Sequence, residues 1–328
     1  MTSERSIFVT GAEGFIGSHL VEALVESGSK VKALCQYNSF GSSGWLSHLS
    51  TDISSRIEIV FGDIRDIEQM RQYAQGCEII VNLAALIAIP YSYIAPRSYV
   101  EVNTLGTINL LEAARLYKAK LIHISTSEVY GTPLVTPITE GHAINPQSPY
   151  AASKSAADHF VMSYYDSYSM NSLIVRPFNT YGPRQSPRAV IPTILSQIIF
   201  GAEKLKVGST SPLRDFTFVT DTTRAIVEAV HSNISGEVIH LGTGKAISVG
   251  ELIETCQDIC GTSIEIEEEQ SRVRPINSEV QILLSDPKKA KELLGWEAKV
   301  DLRLGLEQTK KWIEANPESF QDLQKYRL

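Results

Sequence analysis

Residues 8–20 read "FVTGAEGFIGSHL". A β-branched apolar run enters this stretch, a helix-period pattern leaves it, and Gly11, Gly14 and Gly17 mark the change at intervals of three. Glycine lets a chain turn tightly from strand to helix. It also lets backbone N–H groups approach a pyrophosphate at the positive end of the helix. The spacing is G-x-x-G-x-x-G, not the commoner G-x-G-x-x-G, so a plain glycine-rich turn is the competing reading. Its place directly after the first strand favours a dinucleotide, with Phe15 and Ile16 beside it.

The same alternation continues outward. "SIFVT", "KVKALC", "RIEIVFGD", "EIIVNLAA" and "KLIHIST" alternate with the amphipathic "GFIGSHLVEALVESG", "DIEQMRQYAQG" and "YVEVNTLGTINLLEAARLY". Near-continuous apolar strands separated by helices predict a parallel sheet covered on both faces, an α/β fold. A long helix, "SPYAASKSAADHFVMSYYDSYSM", and the strand "NSLIVRP" follow. Past residue 180 proline and glycine become denser and the elements shorter. This predicts a dinucleotide-binding unit over 1–180, with later strands returning to its sheet, and a smaller interleaved lobe over 181–328.

Bulk properties narrow the function. The 328 residues are 43% apolar and 20% charged, with a net charge of −7 and no basic stripe, which argues against a nucleic-acid partner. No apolar run approaches the roughly 20 residues of a membrane span. The opening "MTSERSIFVTGAEG" enters a strand at once and is expected to leave no room for a signal peptide. Four cysteines are too few for a disulfide scaffold, and Cys256 and Cys260 have no second pair to complete a metal site. A reducing cytoplasm is the expected home, where the sequon at Asn233 has no consequence.

Strand ends carry the chemistry of such sheets. Asp63, followed by Ile64, closes the third strand, where a carboxylate can accept from an adenine amino group. Leu83, Ala84 and Ala85 close the fourth with side chains small enough for a dinucleotide to lie across. The second strand ends "ALCQYNS": Cys35 and Gln36 supply neither the usual carboxylate for the adenosine ribose nor an arginine for a 2′-phosphate. NAD is favoured and NADP left open. The fifth strand ends in "STSEVYG", a carboxylate among hydroxyls. In "SPYAASK", Tyr150 and Lys154 are four apart on one helix face. An ammonium one turn from a phenol predicts a tyrosine usable as a base near neutral pH, below its ordinary value of about 10.

Gly11/Gly14/Gly17, Asp63, "NLAA", "STSEVYG", Tyr150/Lys154, "RPFNTYGP", "RDFTFVTDT" and the closing "DPKKAKELLGWEAKVDLRLGLEQTKKWI" together resemble the extended short-chain dehydrogenase/reductase family, in its nucleotide-sugar epimerase/dehydratase branch. The resemblance spans nearly the whole chain. It implies a Rossmann-type doubly wound parallel sheet with a smaller α/β lobe for a nucleotide-diphosphate sugar. It further implies that Thr126 bonds the sugar O4 beside Tyr150, that Lys154 holds a ribose hydroxyl, and that Pro177 lies under the nicotinamide. By the same resemblance Asn179 bonds the substrate and Val207 packs at the nucleobase. Arg188, Arg214 and Arg274 are candidates for the diphosphate, with surface ion pairs as their alternative.

Glu128 separates the reactions within the branch. A 4-epimerase needs no carboxylate there. Once C4 is oxidised, the C5 proton is acidic, and a carboxylate beside it can remove that proton as the C6 hydroxyl leaves. The resemblance thus implies a 4,6-dehydratase, with Ser127 where dTDP-glucose dehydratases carry an aspartate. UDP-glucuronate decarboxylases share "TSEVYG", and a 4-epimerase or a non-catalytic dinucleotide sensor are further alternatives. "AALIAIPYSYIAPRSYVEVNTLGT", "YGPRQSPRAVIPTIL" and "RVRPINSEVQILLSD" are most similar to the N-acetylglucosamine-nucleotide 4,6-dehydratases of legionaminic-acid-type pathways, which bind GDP or UDP sugars. Pro90 and Tyr91 line the sugar pocket or pack the core. Asn103 supports the active-site strand or stands on a helix surface, and His123 and His159 are packing or surface residues. Helices 100–117 and 149–168 carry apolar faces that relatives pair into a four-helix homodimer interface.

Overall fold

Strands that are apolar on both faces need cover on both faces, and the chain provides it. The structure, a computed structural model, describes residues 5–320; residues 1–4 and 321–328, the outer ends of the two expected units and the start of the opening stretch, lie outside the described residues. The strands in chain order are β1 Ser6–Thr10, β2 Lys30–Gln36, β3 Ile57–Gly62, β4 Ile79–Asn82, β5 Lys120–Ile124, β6 Ser172–Pro177, β7 Asn179–Tyr181, β8 Lys204–Val207, β9 Leu213–Phe218, β10 Glu237–Leu241, β11 Ala246–Ser248, β12 Glu265–Glu268 and β13 Ile282–Leu283.

Seven form one sheet in the order β10-β6-β5-β4-β1-β2-β3, every pair parallel. The chain builds outward from β1 to β3 and then crosses to the other side of β1. This reversal between β1 and β4 opens a crevice at the strands' carboxyl ends, where such sheets bind ligands. On one face Leu20, Val21 and Leu24 of helix Phe15–Glu26 pack with Ala225, Ile226 and Ala229 of helix Val219–His231. On the other, Leu110, Leu111 and Ala113 of Gly106–Tyr117 pack with Val161 of Pro149–Tyr168. All five side chains of β5 are buried between these layers.

The remaining strands form smaller sheets. β9 lies between β11 and β13 and also pairs with β7, and β12 pairs with β8. Ile191, Ile194, Leu205, Phe216, Leu252 and Leu306 form their separate core.

The helix expected over 100–117 is interrupted. Pro96–Tyr99 is α-helical, Val100–Leu105 is a π-turn, and Gly106–Tyr117 resumes the α-helix. π-turns in helices often sit at functional sites. This one turns Asn103 and Thr104 toward helix Pro149–Tyr168: the Asn103 Nδ2 donates to Ser153 Oγ at 3.0 Å and the Thr104 hydroxyl to Ser153 O at 2.9 Å. Asn103 also accepts from Leu86 N at 2.8 Å and donates to Leu86 O at 3.0 Å. It therefore ties the loop after β4 to the helix carrying Tyr150, a correction to its expected support of the β5 end.

The glycine turn is set by contact as well as by conformation. Gly11 has φ +65°, and a Cβ on Gly17 would lie 2.1 Å from the Gly11 carbonyl oxygen, which as backbone has no room to give. Gly17→Ala is expected to lower stability by about 3 kcal/mol and to weaken dinucleotide binding at least tenfold; thermal unfolding and nucleotide titration check this. A variant with wild-type stability and affinity would mean that the turn opens freely.

Candidate active site

A cavity of about 1060 Å³ runs along the carboxyl ends of β1, β4, β5 and β6. Every side chain or glycine singled out from the sequence as a site residue lines it: the turn from Gly11 to Gly17, Asp63 and Ile64, Leu83 to Ala85, Thr126 to Glu128, Tyr150, Lys154, Pro177, Asn179, Arg188, Val207, Arg214 and Arg274. Pro90 and Tyr91 line it too. His159 does not take part; its ring bonds Ser155 O in its own helix at 2.6 Å.

At one end the turn forms a cradle suited to a dinucleotide. Gly14 caps helix Phe15–Glu26, whose first N–H groups face the opening, and a Cβ on Gly11 would strike the Ala84 backbone at 2.8 Å. Asp63 sits where expected, but Arg65 holds its carboxylate in a fork, Nε to Oδ1 at 2.9 Å and Nη2 to Oδ2 at 2.5 Å. The hydrogen bond from Arg65 pulls the Asp63 carboxyl below its ordinary range.

At the centre, the hydroxyl-rich end of β5 has a structural logic. Thr126 caps the short 3₁₀ turn Ser127–Tyr130, accepting from Glu128 N at 3.2 Å, and so directs the Glu128 side chain to the cavity. Ser148 caps helix Pro149–Tyr168 from Oγ, which places Tyr150 in its first turn. Tyr150 shares a hydrogen bond with Thr126 and feels the negative charge of Glu128. Its phenol is raised above its ordinary value rather than lowered, because burial outweighs the Thr126 bond and Glu128 adds to the rise. This corrects the expectation drawn from Lys154. The lysine is folded back under β5, with Nζ donating to Ile124 O at 2.7 Å, and burial lowers it to about 8.

Behind these groups runs a buried polar chain that spacing alone did not disclose. Ala84 N donates to Thr10 Oγ1 at 3.3 Å, so the Thr10 proton goes to Asn82 Oδ1 at 2.8 Å. The Asn82 amide then donates to Thr107 Oγ1 at 3.1 Å and to His123 Nδ1 at 3.2 Å. That leaves the His123 proton on Nε2, facing Lys154 Nζ at 3.3 Å and Asp158 Oδ1 at 3.5 Å. Asp158 Oδ2 accepts from Ser125 Oγ at 2.7 Å and Arg176 Nη2 at 2.9 Å; Arg176 continues to Tyr130 and Tyr130 to His240 Nε2 at 2.6 Å. His123, expected as a packing or surface residue, is thus a buried member of the polar chain that runs beside Lys154.

Three histidines are kept neutral, with burial the first cause in each. His19 falls to about 4 and His240 to about 3, while His123 lies well below its ordinary value, with Lys154 and Arg176 adding to the effect. Because their native pKa values are depressed, the stability is present above the unfolded value of about 6.5 and lost as pH falls toward 4. In that window the unfolded chain approaches three extra protons, so unfolding free energy should drop by about 4 kcal/mol per pH unit at the steepest. Denaturant unfolding between pH 7 and 5 checks this; a flat profile would show that the rings are charged in the native state.

At the far end, the lobe supplies cations. Arg214 Nη2 binds Glu279 Oε1 at 2.8 Å, and Arg274 Nη1 lies 3.4 Å from the same oxygen and 3.9 Å from Glu128 Oε1. Burial lowers Arg214, while Glu128 and Glu279 pull it back up. Arg188 is exposed at the rim. Val207 closes β8 and is buried. Asn179 donates to Asp215 O at 3.3 Å. Asp215 is itself a buried hub that accepts from Thr243, Gly244 and Ser285. Sequence reasoning missed Glu279, Asp158 and Arg176. Arg176 opens "RPFNTYGP" and Asp158 follows Lys154 at the same spacing of four, but only the fold pairs them with each other and brings Glu279 to Arg214. Among the described residues no group of three His, Cys, Asp or Glu side chains could hold a metal ion.

Known proteins resemble this chain over nearly its whole length. A family profile described as GDP-mannose 4,6 dehydratase matches residues 8–309. A putative UDP-glucose 4-epimerase from Methanocaldococcus jannaschii is 33% identical, covering 94% of this chain and 99% of its own. A dTDP-glucose 4,6-dehydratase from an Actinoplanes species is 32% identical, over 94% and 98%. Among solved structures, a variant of the UDP-glucuronic acid 4-epimerase from Bacillus cereus, in complex with NAD and UDP-4-deoxy-4-fluoro-glucuronic acid, superposes with a TM-score of 0.87 at 30% identity, covering 94% and 99%.

Proposed function

The chain belongs to the GDP-mannose 4,6-dehydratase family, within the NAD-dependent nucleotide-sugar epimerases and dehydratases, and from that premise we propose that it is a nucleotide-sugar 4,6-dehydratase. Its substrate in this reading is a GDP- or UDP-linked hexose, N-acetylated as in the legionaminic-acid-type pathways, and its product the 4-keto-6-deoxy sugar. The observation that carries the reading is Glu128, a largely buried carboxylate in the cavity, electrostatically coupled to Tyr150. Neither an epimerase nor a bare dinucleotide sensor needs that carboxylate.

NAD, the cofactor of this family, supplies the oxidation at C4 and the later reduction at C6 when bound. The glycine turn, Ala84 and Ala85 would hold it, with Pro177 beneath the nicotinamide and Lys154 toward the ribose. Thr126 and Tyr150 would hold the sugar O4, and Tyr150 would take its proton. Glu128 would then remove the C5 proton and pass it to the C6 oxygen, which leaves as water. Once C6 is reduced, Glu128, reprotonated from solvent, would return a proton to C5, and Tyr150 would release the O4 proton to solvent, so one carboxylate serves as base and acid in turn. Ser127, buried beside it, leaves no second acid in the triplet. Arg214, Arg274 and Arg188 would bind the diphosphate, with Asn179 and Val207 toward the sugar and base.

The test is to incubate the protein with UDP- and GDP-N-acetylglucosamine, GDP-mannose and UDP-glucuronate and to weigh the products. Loss of water supports the proposal. Loss of carbon dioxide would favour the decarboxylase, an unchanged mass with inverted C4 the epimerase, and no change at all a sensor.

The division into 1–180 for the dinucleotide and 181–328 mainly for the sugar nucleotide belongs to the same proposal. So does a cytoplasmic homodimer. Leu105, Leu116, Phe160 and Tyr168 are exposed on the two long helical segments, which supports pairing there. No helix among the described residues is long and apolar enough to cross a membrane.

A further inference from the structure

The end of β2 lacks the carboxylate that would meet an adenosine ribose, yet a carboxylate stands there. It comes from the glycine turn. Glu13, between Gly11 and Gly14, folds across to β2, where its Oε1 accepts from Gln36 N at 2.8 Å. The segment after β2 holds it in place: Trp45 N donates to Glu13 O at 3.1 Å, and Gly44, at φ +52°, packs so closely that a Cβ would lie 2.8 Å from that oxygen. The second carboxylate oxygen, Oε2, is covered by protein and has no hydrogen-bond partner. An unpaired buried carboxylate oxygen is costly, and because Glu13 lines the cavity, a small turn of its side chain would bring that oxygen to a donor there and offset the cost. Glu13, Leu34, Gln36 and Trp45 line the cavity together at this point.

We infer that Glu13 is the specificity-determining residue for the coenzyme, accepting from the 2′-hydroxyl of an adenosine ribose and excluding a 2′-phosphate. The inference rests on reading this cavity as a dinucleotide site, whose pyrophosphate lies on the Gly14 helix end. The ribose then falls beside β2, where Glu13 stands in for the side chain that Cys35 and Gln36 do not supply. A ribose hydroxyl gains a charge-assisted bond, whereas a phosphate dianion meets a fixed negative charge in a partly dry site. Arg65, which also lines the cavity, offers no free cation for that phosphate, since Asp63 neutralises it at 2.5 Å.

The experiment is a fluorescence titration of the purified protein with NADH and with NADPH. The wild type is expected to bind NADH at least tenfold more tightly. Glu13→Gln, close in shape but uncharged, should bring the two dissociation constants to within about threefold. A Gln variant with wild-type thermal stability and an unchanged ratio would overturn the inference, as would a wild type without preference. Should that variant fail to fold, the wild type titrated with 2′-deoxy-NADH decides: at least tenfold weaker binding than NADH supports the role, and equal binding overturns it. No sugar enters these titrations, so the dehydratase reading can fail while this one stands, and the reverse.

Discussion

Glu128→Gln is expected to lower formation of the dehydrated sugar by on the order of a thousandfold, while reduced-nicotinamide absorbance still appears on adding substrate. General acid–base groups contribute about 10²–10⁴ each, and here one side chain is asked to act twice. Glutamine keeps the shape and the cap geometry, because the bond from residue 128 to Thr126 comes from the backbone N–H. The proton on C5 then has no acceptor, whereas oxidation at C4 does not involve this carboxylate. The C4-oxidised sugar should therefore accumulate with the reduced coenzyme. Wild-type turnover in the variant would sink the role and with it the water-eliminating reaction. Loss of both signals would instead place Glu128 in binding.

Tyr150→Phe should abolish both signals, again by on the order of a thousandfold, because the first proton transfer is lost. Substrate affinity should change little, since Thr126 and the arginines are untouched. The contrast between the two variants is the useful measurement. One stops after oxidation and the other before it, and a stopped-flow record of nicotinamide absorbance separates them. A phenylalanine variant that still reduces the coenzyme would mean that another group, with Lys154 the nearest in sequence, removes the proton.

Much of this was legible in the sequence because it is local. The strand-turn-helix at Gly11–Gly17 and the Tyr150/Lys154 pair need only one element each, and periodicity places them. The parallel sheet follows from alternation for the same reason, although its seventh strand, β10, lies outside that alternation. What could not be read depends on distant segments meeting. Glu279 reaches Arg214 from 65 residues away, and Arg176 meets Tyr130 across 46. Glu13 carries no signal of its own between its glycines, and only the fold brings Gln36 N to it. For Tyr150, spacing reveals the lysine but not the burial that raises the phenol. The π-turn at Val100–Leu105 was invisible because it displaces the apolar pattern by only one position in a single turn.

One helix carries Tyr150, Lys154 and Asp158 at successive intervals of four, and its last member is clamped to Arg176 and Ser125. The Tyr150 phenol is in effect indexed to the sheet by a lock two turns downstream. Adding or removing one residue between them would swing the phenol by about 100° relative to the lock, aiming it into packed side chains. Evolution or an engineer can therefore repaint the rest of this helix residue by residue but cannot change the spacing between Tyr150 and Asp158.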